Sequence, residues 1–291
     1  MRLTKYGQHF LLKAWLLLTA TLLGICVLSL AVLGIASLVT REEEPSIDAS
    51  DSLTGEGEGQ ESPEPDLPTV EPSTVSARLL GQTAVAEQDY IDSMVFLGES
   101  TTAHLRSRGV LSEGVQTKQV WSNSSNTMTL DLNILQKTIV YPKTEQSMTI
   151  AEAVALEKPS ILVLSFGTNG IMGFEKNVDM YRTSYGRLID AVHAASPDTV
   201  VLLQTVYPLA TNQRSFGEHA STMNAYIDRL NAQLPLIAEQ HDAYVVDTAS
   251  CLKDDMGFLR SDYQNGDGVH LTASAYRAIL DYLRTHAYTA Q

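Results

Sequence analysis

The chain has 291 residues, 44% of them hydrophobic, with 34 acidic against 20 basic side chains and a formal net charge of −14. That balance argues against nucleic acid as a partner, because polyanions are bound through Lys and Arg. Two cysteines, Cys26 in an apolar run and Cys251 in the folded part, exclude a disulfide framework and a cysteine-rich zinc site.

Residues 1–13 carry Arg2, Lys5 and Lys13 and no acid, and read as a cytoplasmic N-terminus. Residues 14–39 contain no charge and are rich in Leu, Ala, Val and Ile, a run long enough to cross a bilayer at about 1.5 Å per residue. Basic residues before it and Glu42, Glu43 and Glu44 after it predict a single-pass signal anchor with the rest of the chain exported. A cleavable signal peptide is the alternative, but the apolar stretch is longer than the usual ~7–15 residues. Residues 40–76 are rich in Glu, Ser, Gly and Pro; such a segment cannot bury enough apolar surface to offset its ordering entropy and is expected to be a disordered acidic linker. Residues 77–291 hold the apolar periodicity of one folded domain.

Within that domain, residues 77–92 are expected to contain a short helix, and Val95 to Leu97 a buried strand ending at Gly98. A helix is predicted over Thr101 to Arg108, then a weak strand between Val115 and Trp121. Further strands are expected at 160–166, 199–205 and 243–246, and helices near 149–157, 176–195, 219–240 and 273–286. Strands that are apolar throughout, alternating with amphipathic helices, predict an α/β fold with a parallel sheet covered on both faces.

Three polar clusters interrupt this pattern at the ends of elements: Gly98-Glu99-Ser100, Gly167-Thr168-Asn169-Gly170 and Asp267-Gly268-Val269-His270. Each alone is an ordinary turn or helix cap. Together they place a serine, an amide and an Asp/His pair beside strand ends, where an open α/β sheet forms its site. A serine hydroxyl needs a base to take its proton, and histidine suits that near neutral pH. Asp267, three residues before His270, is placed to orient the imidazole; the Asn169 amide and the Ser100 N–H are candidate donors to an oxyanion.

These blocks resemble the SGNH/GDSL hydrolase family. Gly98-Glu99-Ser100 is similar to its first block, with Glu where Asp is usual; Gly167-Thr168-Asn169-Gly170 resembles the block whose asparagine serves the oxyanion hole; Asp267-Gly268-Val269-His270 resembles the Asp-x-x-His block. The resemblance, over roughly 93–286, implies a flavodoxin-like three-layer α/β/α sandwich and a metal-free, cofactor-free serine esterase mechanism with Ser100, His270 and Asp267 as triad. Its second block falls in Trp121 to Thr127, where no glycine stands; a backbone N–H at Asn126 or Ser124 is the expected replacement donor.

His104, His193, His219 and His241 show no metal-ligand spacing and read as structural or surface residues. Trp121, Tyr207 and Phe216 fall on expected loops and serve either a pocket wall or packing. The resulting expectation is a membrane-anchored, extracytoplasmic esterase acting on small-molecule or glycan esters, O-acetyl groups of envelope carbohydrate among them. An O-acyltransferase on the same site and a non-catalytic binding domain are the alternatives.

Overall fold

Met94 and Phe96 pack into one apolar cluster and Val95 and Leu97 into another. The same two-residue alternation splits Leu162 and Leu164 from Ile161 and Val163, and Leu203 from Leu202. These strands are apolar throughout because both faces of their sheet are covered. The computed structural model describes residues 77–289. The expected segments 1–13, 14–39 and 40–76 lie outside the described residues, among which no helix is long and apolar enough to cross a membrane.

In chain order the elements are α1 (Gln88–Asp92), β1 (Met94–Gly98), α2 (Ser100–Ser107), β2 (Val120–Trp121), β3 (Thr138–Val140), β4 (Ser147–Thr149), α3 (Ile150–Glu157), β5 (Ile161–Ser165), α4 (Ile171–Lys176), α5 (Val178–Ala195), β6 (Val200–Gln204), α6 (Ala220–Asn231), α7 (Leu234–Gln240), β7 (Tyr244–Val246) and α8 (Ala273–Thr285). Five strands form a parallel sheet in the order β2-β1-β5-β6-β7. Counted among themselves they run 2-1-3-4-5, a common doubly wound order, in which ligands bind beyond the carboxyl ends of the strands. Residues of α3, α5, α6 and α7 fill one face, and residues of α1, α2 and α8 the other.

The structure refines four expectations. The short helix expected within 77–92 is α1, directly before β1, while upstream Arg78 and Leu80 pair with Val245, satisfying backbone groups on the open edge of β7. The helix expected over 176–195 starts later, at Val178, because Asn177 ends α4 and caps α5, its side chain accepting from the Met180 N–H. The one expected over 219–240 breaks before Leu234, where Pro235, lacking an N–H, stands in the first turn of α7. The strand sought between Val115 and Trp121 shrinks to two residues, preceded by a 3-10 turn at Gly114–Gln116. An antiparallel β3–β4 hairpin in the long connection before α3 had no expectation at all.

Candidate active site

Ser100 is the first residue of α2, and Glu99, in extended backbone, is its N-cap. The hydroxyl is therefore free of capping work, and the Ser100 N–H, being first in the helix, has no partner in a preceding turn. Ser100 Oγ lies 3.0 Å from Nε2 of His270. Nδ1 of the same ring lies 2.7 Å from Asp267 Oδ2, while Asp267 Oδ1 accepts from the N–H groups of Val269 and His270, both at 2.8 Å. The Asp-x-x-His spacing thus folds into a turn whose own carboxylate holds the imidazole. The structure brings Ser100, His270 and Asp267 into one hydrogen-bonded line.

The turn is fixed from behind by tight packing. Gly268 has a φ of +77°, and a Cβ there would stand 2.6 Å from the Gln213 nitrogen and 2.7 Å from its Cα. The Ala210 N–H donates to Gly268 O at 2.9 Å. Segment 210–213 therefore sets the position of the turn that carries His270.

On the other side, the loop after β5 is organised by Glu99. Its carboxylate, 2% exposed, accepts from the N–H groups of Gly167 (2.7 Å) and Asn169 (2.9 Å). One N–H of the Asn169 side-chain amide donates to Met128 O at 3.2 Å, which leaves its second N–H available. Asn126 has a φ of +55°, a left-handed conformation that asparagine tolerates and glycine prefers. Its backbone N–H, a candidate oxyanion donor on sequence grounds, instead donates to Asn123 O at 3.0 Å, and its Oδ1 accepts from Ser122 Oγ. Trp121 and Tyr207 are buried in the two apolar clusters, and Phe216 packs against one, so all three serve packing.

A family model described as the GDSL-like Lipase/Acylhydrolase family matches residues 96–278. The chain belongs to this family. The matched stretch covers well over half the sequence and contains Glu99, Ser100, Asn169, Asp267 and His270. No curated protein matches the chain. Among solved structures, the chain is similar to a protein from Streptococcus pneumonia provisionally assigned as a platelet activating factor, at 18% identity and a TM-score of 0.49, over 74% of this chain and 90% of that one. It is also similar to a family 3 carbohydrate esterase of Clostridium thermocellum, at 15% identity and a TM-score of 0.40, over 66% and 93% of the two chains. A third likeness is to the acetylxylan esterase Axe2 of Geobacillus stearothermophilus, at 14% identity and a TM-score of 0.37, over 72% and 98%.

As a GDSL-like acylhydrolase the protein is a serine-type ester hydrolase, and the electrostatics of the cluster suit that chemistry. Partial burial works against ionisation of Asp267, but the hydrogen bonds from the His270 side chain and from the His270 and Val269 N–H groups outweigh it and hold the carboxyl below its usual range. Asp267 is thus an anion at neutral pH, facing the His270 imidazole. Glu99 behaves oppositely: burial pushes its carboxyl up to about 8, against the backbone N–H groups of Gly167, Asn169 and Thr168, which favour the anion.

Two residues here carry more than the sequence suggested. Glu99 stood in the first block only as an enlarged aspartate, although its burial and its grip on residues 167–169 make it a structural centre. His104 was set aside, yet its ring centroid lies 4.8 Å from that of His270. The available signal was its position four residues after Ser100, on the same face of one helix.

Proposed function

We propose that the protein hydrolyses O-acyl esters, with acetyl the favoured acyl group and a carbohydrate the alcohol, through Ser100, His270 and Asp267. Ser100 Oγ attacks the ester carbonyl while its proton passes to His270 Nε2, and ionised Asp267 stabilises the resulting imidazolium. The Ser100 N–H at the head of α2 and the free N–H of the Asn169 amide donate to the tetrahedral oxyanion. His270 returns the proton to the leaving alkoxide, and water repeats the sequence on the acyl-enzyme. The observation that carries this reading is the Ser100–His270–Asp267 line at 3.0 and 2.7 Å.

The carbohydrate alcohol is supported by the surroundings of segment 210–213. Two clefts flank it and share Thr211; one is lined by Asn212, Asp254, Arg260 and Gln264, the other by Arg214, Glu218 and His219. Such alternating amide, carboxylate and guanidinium groups match the donors and acceptors of a polyol. The apolar run 14–39 and its flanking charges support a single-pass anchor and an extracytoplasmic domain, and hence an ester on cell-envelope carbohydrate.

The test uses the full-length chain purified in detergent. A fluorophosphonate probe should label Ser100, as mapped by peptide mass spectrometry, and the label should disappear in His270→Ala. Turnover should fall from p-nitrophenyl acetate to p-nitrophenyl octanoate, and acetate should be released from an acetylated oligosaccharide. A folded protein with no label and no turnover would defeat the reading in favour of a binding domain. Transfer of acetyl to an added sugar in place of its release would assign the acyltransferase.

A further inference from the structure

His104 and His270 reach each other from separate parts of the chain, one on α2 and the other on the loop before α8. Their rings meet at 49° with centroids 4.8 Å apart, within the range of aromatic contact. His270 is held at its two nitrogens by Ser100 and Asp267, and those bonds leave the ring free to rock about the line joining them. A ring packed against its side removes that freedom.

His104 is itself suited to be a neutral wall. Its Nδ1 is buried and has no hydrogen-bond partner. Protonation would place a charged N–H donor there with no acceptor, a costly arrangement away from water. Burial, the neighbouring His270 and Arg108 all lower its tendency to take a proton, against a smaller opposing pull from Asp267. Of the other elements against α2, β1 (Met-Val-Phe-Leu-Gly), β2 (Val-Trp) and the 3-10 turn (Gly-Val-Gln) add no titratable side chain, and α8 adds Tyr276, a neutral phenol whose hydroxyl donates to Thr101 O at 2.6 Å. The charged groups acting on His104 are therefore His270 and Asp267 from the loop and Arg108 from its own helix.

We propose that His104 is a positioning residue for ester hydrolysis: its ring buttresses the side of His270 and keeps the imidazole aligned between Ser100 Oγ and Asp267. This rests on the assignment of His270 as the base.

The experiment compares full-length wild type, His104→Ala and His104→Phe on p-nitrophenyl acetate, with thermal melts of each. His104→Ala should lose roughly tenfold in kcat with KM within about twofold. His104→Phe, which keeps a ring and has no titratable group, should restore kcat to within about threefold. An alanine variant indistinguishable from wild type in kcat would overturn the proposal. So would a folded phenylalanine variant as impaired as the alanine one. A wild type without turnover would instead defeat the esterase reading, and this inference with it.

Discussion

The Glu99 carboxylate accepts the Asn169 backbone N–H at 2.9 Å, tying the residue before Ser100 to the residue proposed as an oxyanion donor. With the 2.7 Å bond from the Gly167 N–H, one buried acid fixes the β1–α2 turn and the β5–α4 loop in a single frame. The backbones of Ser100 and Asn169 are thereby set relative to each other, as the proposed oxyanion site requires.

Replacing Glu99 by Gln tests that coupling. A glutamine amide offers one acceptor oxygen to two N–H groups and turns its own NH₂ toward one of them. About 1–3 kcal/mol of stability should be lost with the unpaired donor. Because Asn169 is displaced while Ser100 and His270 stay in place, kcat should fall by roughly 10–10²-fold and KM should hardly change. Steady-state kinetics on p-nitrophenyl acetate and a thermal melt check both parts.

Glu99 also gives stability a pH dependence of unusual sign. Its carboxyl is raised to about 8 in the folded protein, from an ordinary 4.5. Between those values the folded state holds a proton that the unfolded chain has released, so this group's contribution declines as pH rises through that window. It is fully present below about pH 4.5 and lost above about pH 8. Tm measured from pH 5 to pH 9 should carry a declining component, and Glu99→Gln should remove it.

Asp267 carries the opposite sign. Its carboxyl is held below the ordinary 3.8, so the stability it lends is present above that value and lost as pH falls through its depressed folded value. Near neutrality the proposed mechanism gives it a catalytic role. Asp267→Asn should keep the fold at pH 7 and cost roughly 10³–10⁴-fold in kcat, since an amide neither favours the imidazolium nor fixes the same tautomer. A circular dichroism spectrum beside the kinetics separates this from unfolding.

The sheet was legible because its strands β1, β5, β6 and β7 are short apolar runs, and parallel strands buried on both faces need no alternation to be recognised. Ser100, Asn169, Asp267 and His270 were legible because each sits in a short block at an element end. The β3–β4 hairpin was not: Thr138–Val140 and Ser147–Thr149 are three residues each, half exposed and without a patterned face. The Asn126 donor was misjudged for a different reason. Counting backbone N–H groups along Trp121 to Thr127 says nothing of the turn that engages that one with Asn123 O. His104 was passed over because it was tested only for metal-ligand spacing; its place one helical turn after Ser100 was the local signal, and its contact with a ring 166 residues away showed only in the fold.

Gly268 offers the sharpest test of how the catalytic turn is held. Alanine there meets two obstacles: its φ of +77° is strained for any side chain, and its Cβ would sit 2.6 Å from the Gln213 nitrogen, a backbone atom that cannot rotate away. Relief requires segment 210–213 and the Asp267–His270 turn to separate, which stretches the Ala210–Gly268 bond. Gly268→Ala should therefore destabilise the protein by about 1–3 kcal/mol and lower kcat at least tenfold as His270 leaves its line with Ser100. Gly257, with a φ of +83° and nothing within 4 Å of an added Cβ, is the control for backbone strain alone. Gly257→Ala should cost stability in a thermal melt and leave kcat unchanged; if both variants lost activity equally, the contact with Gln213 would not be what positions the base.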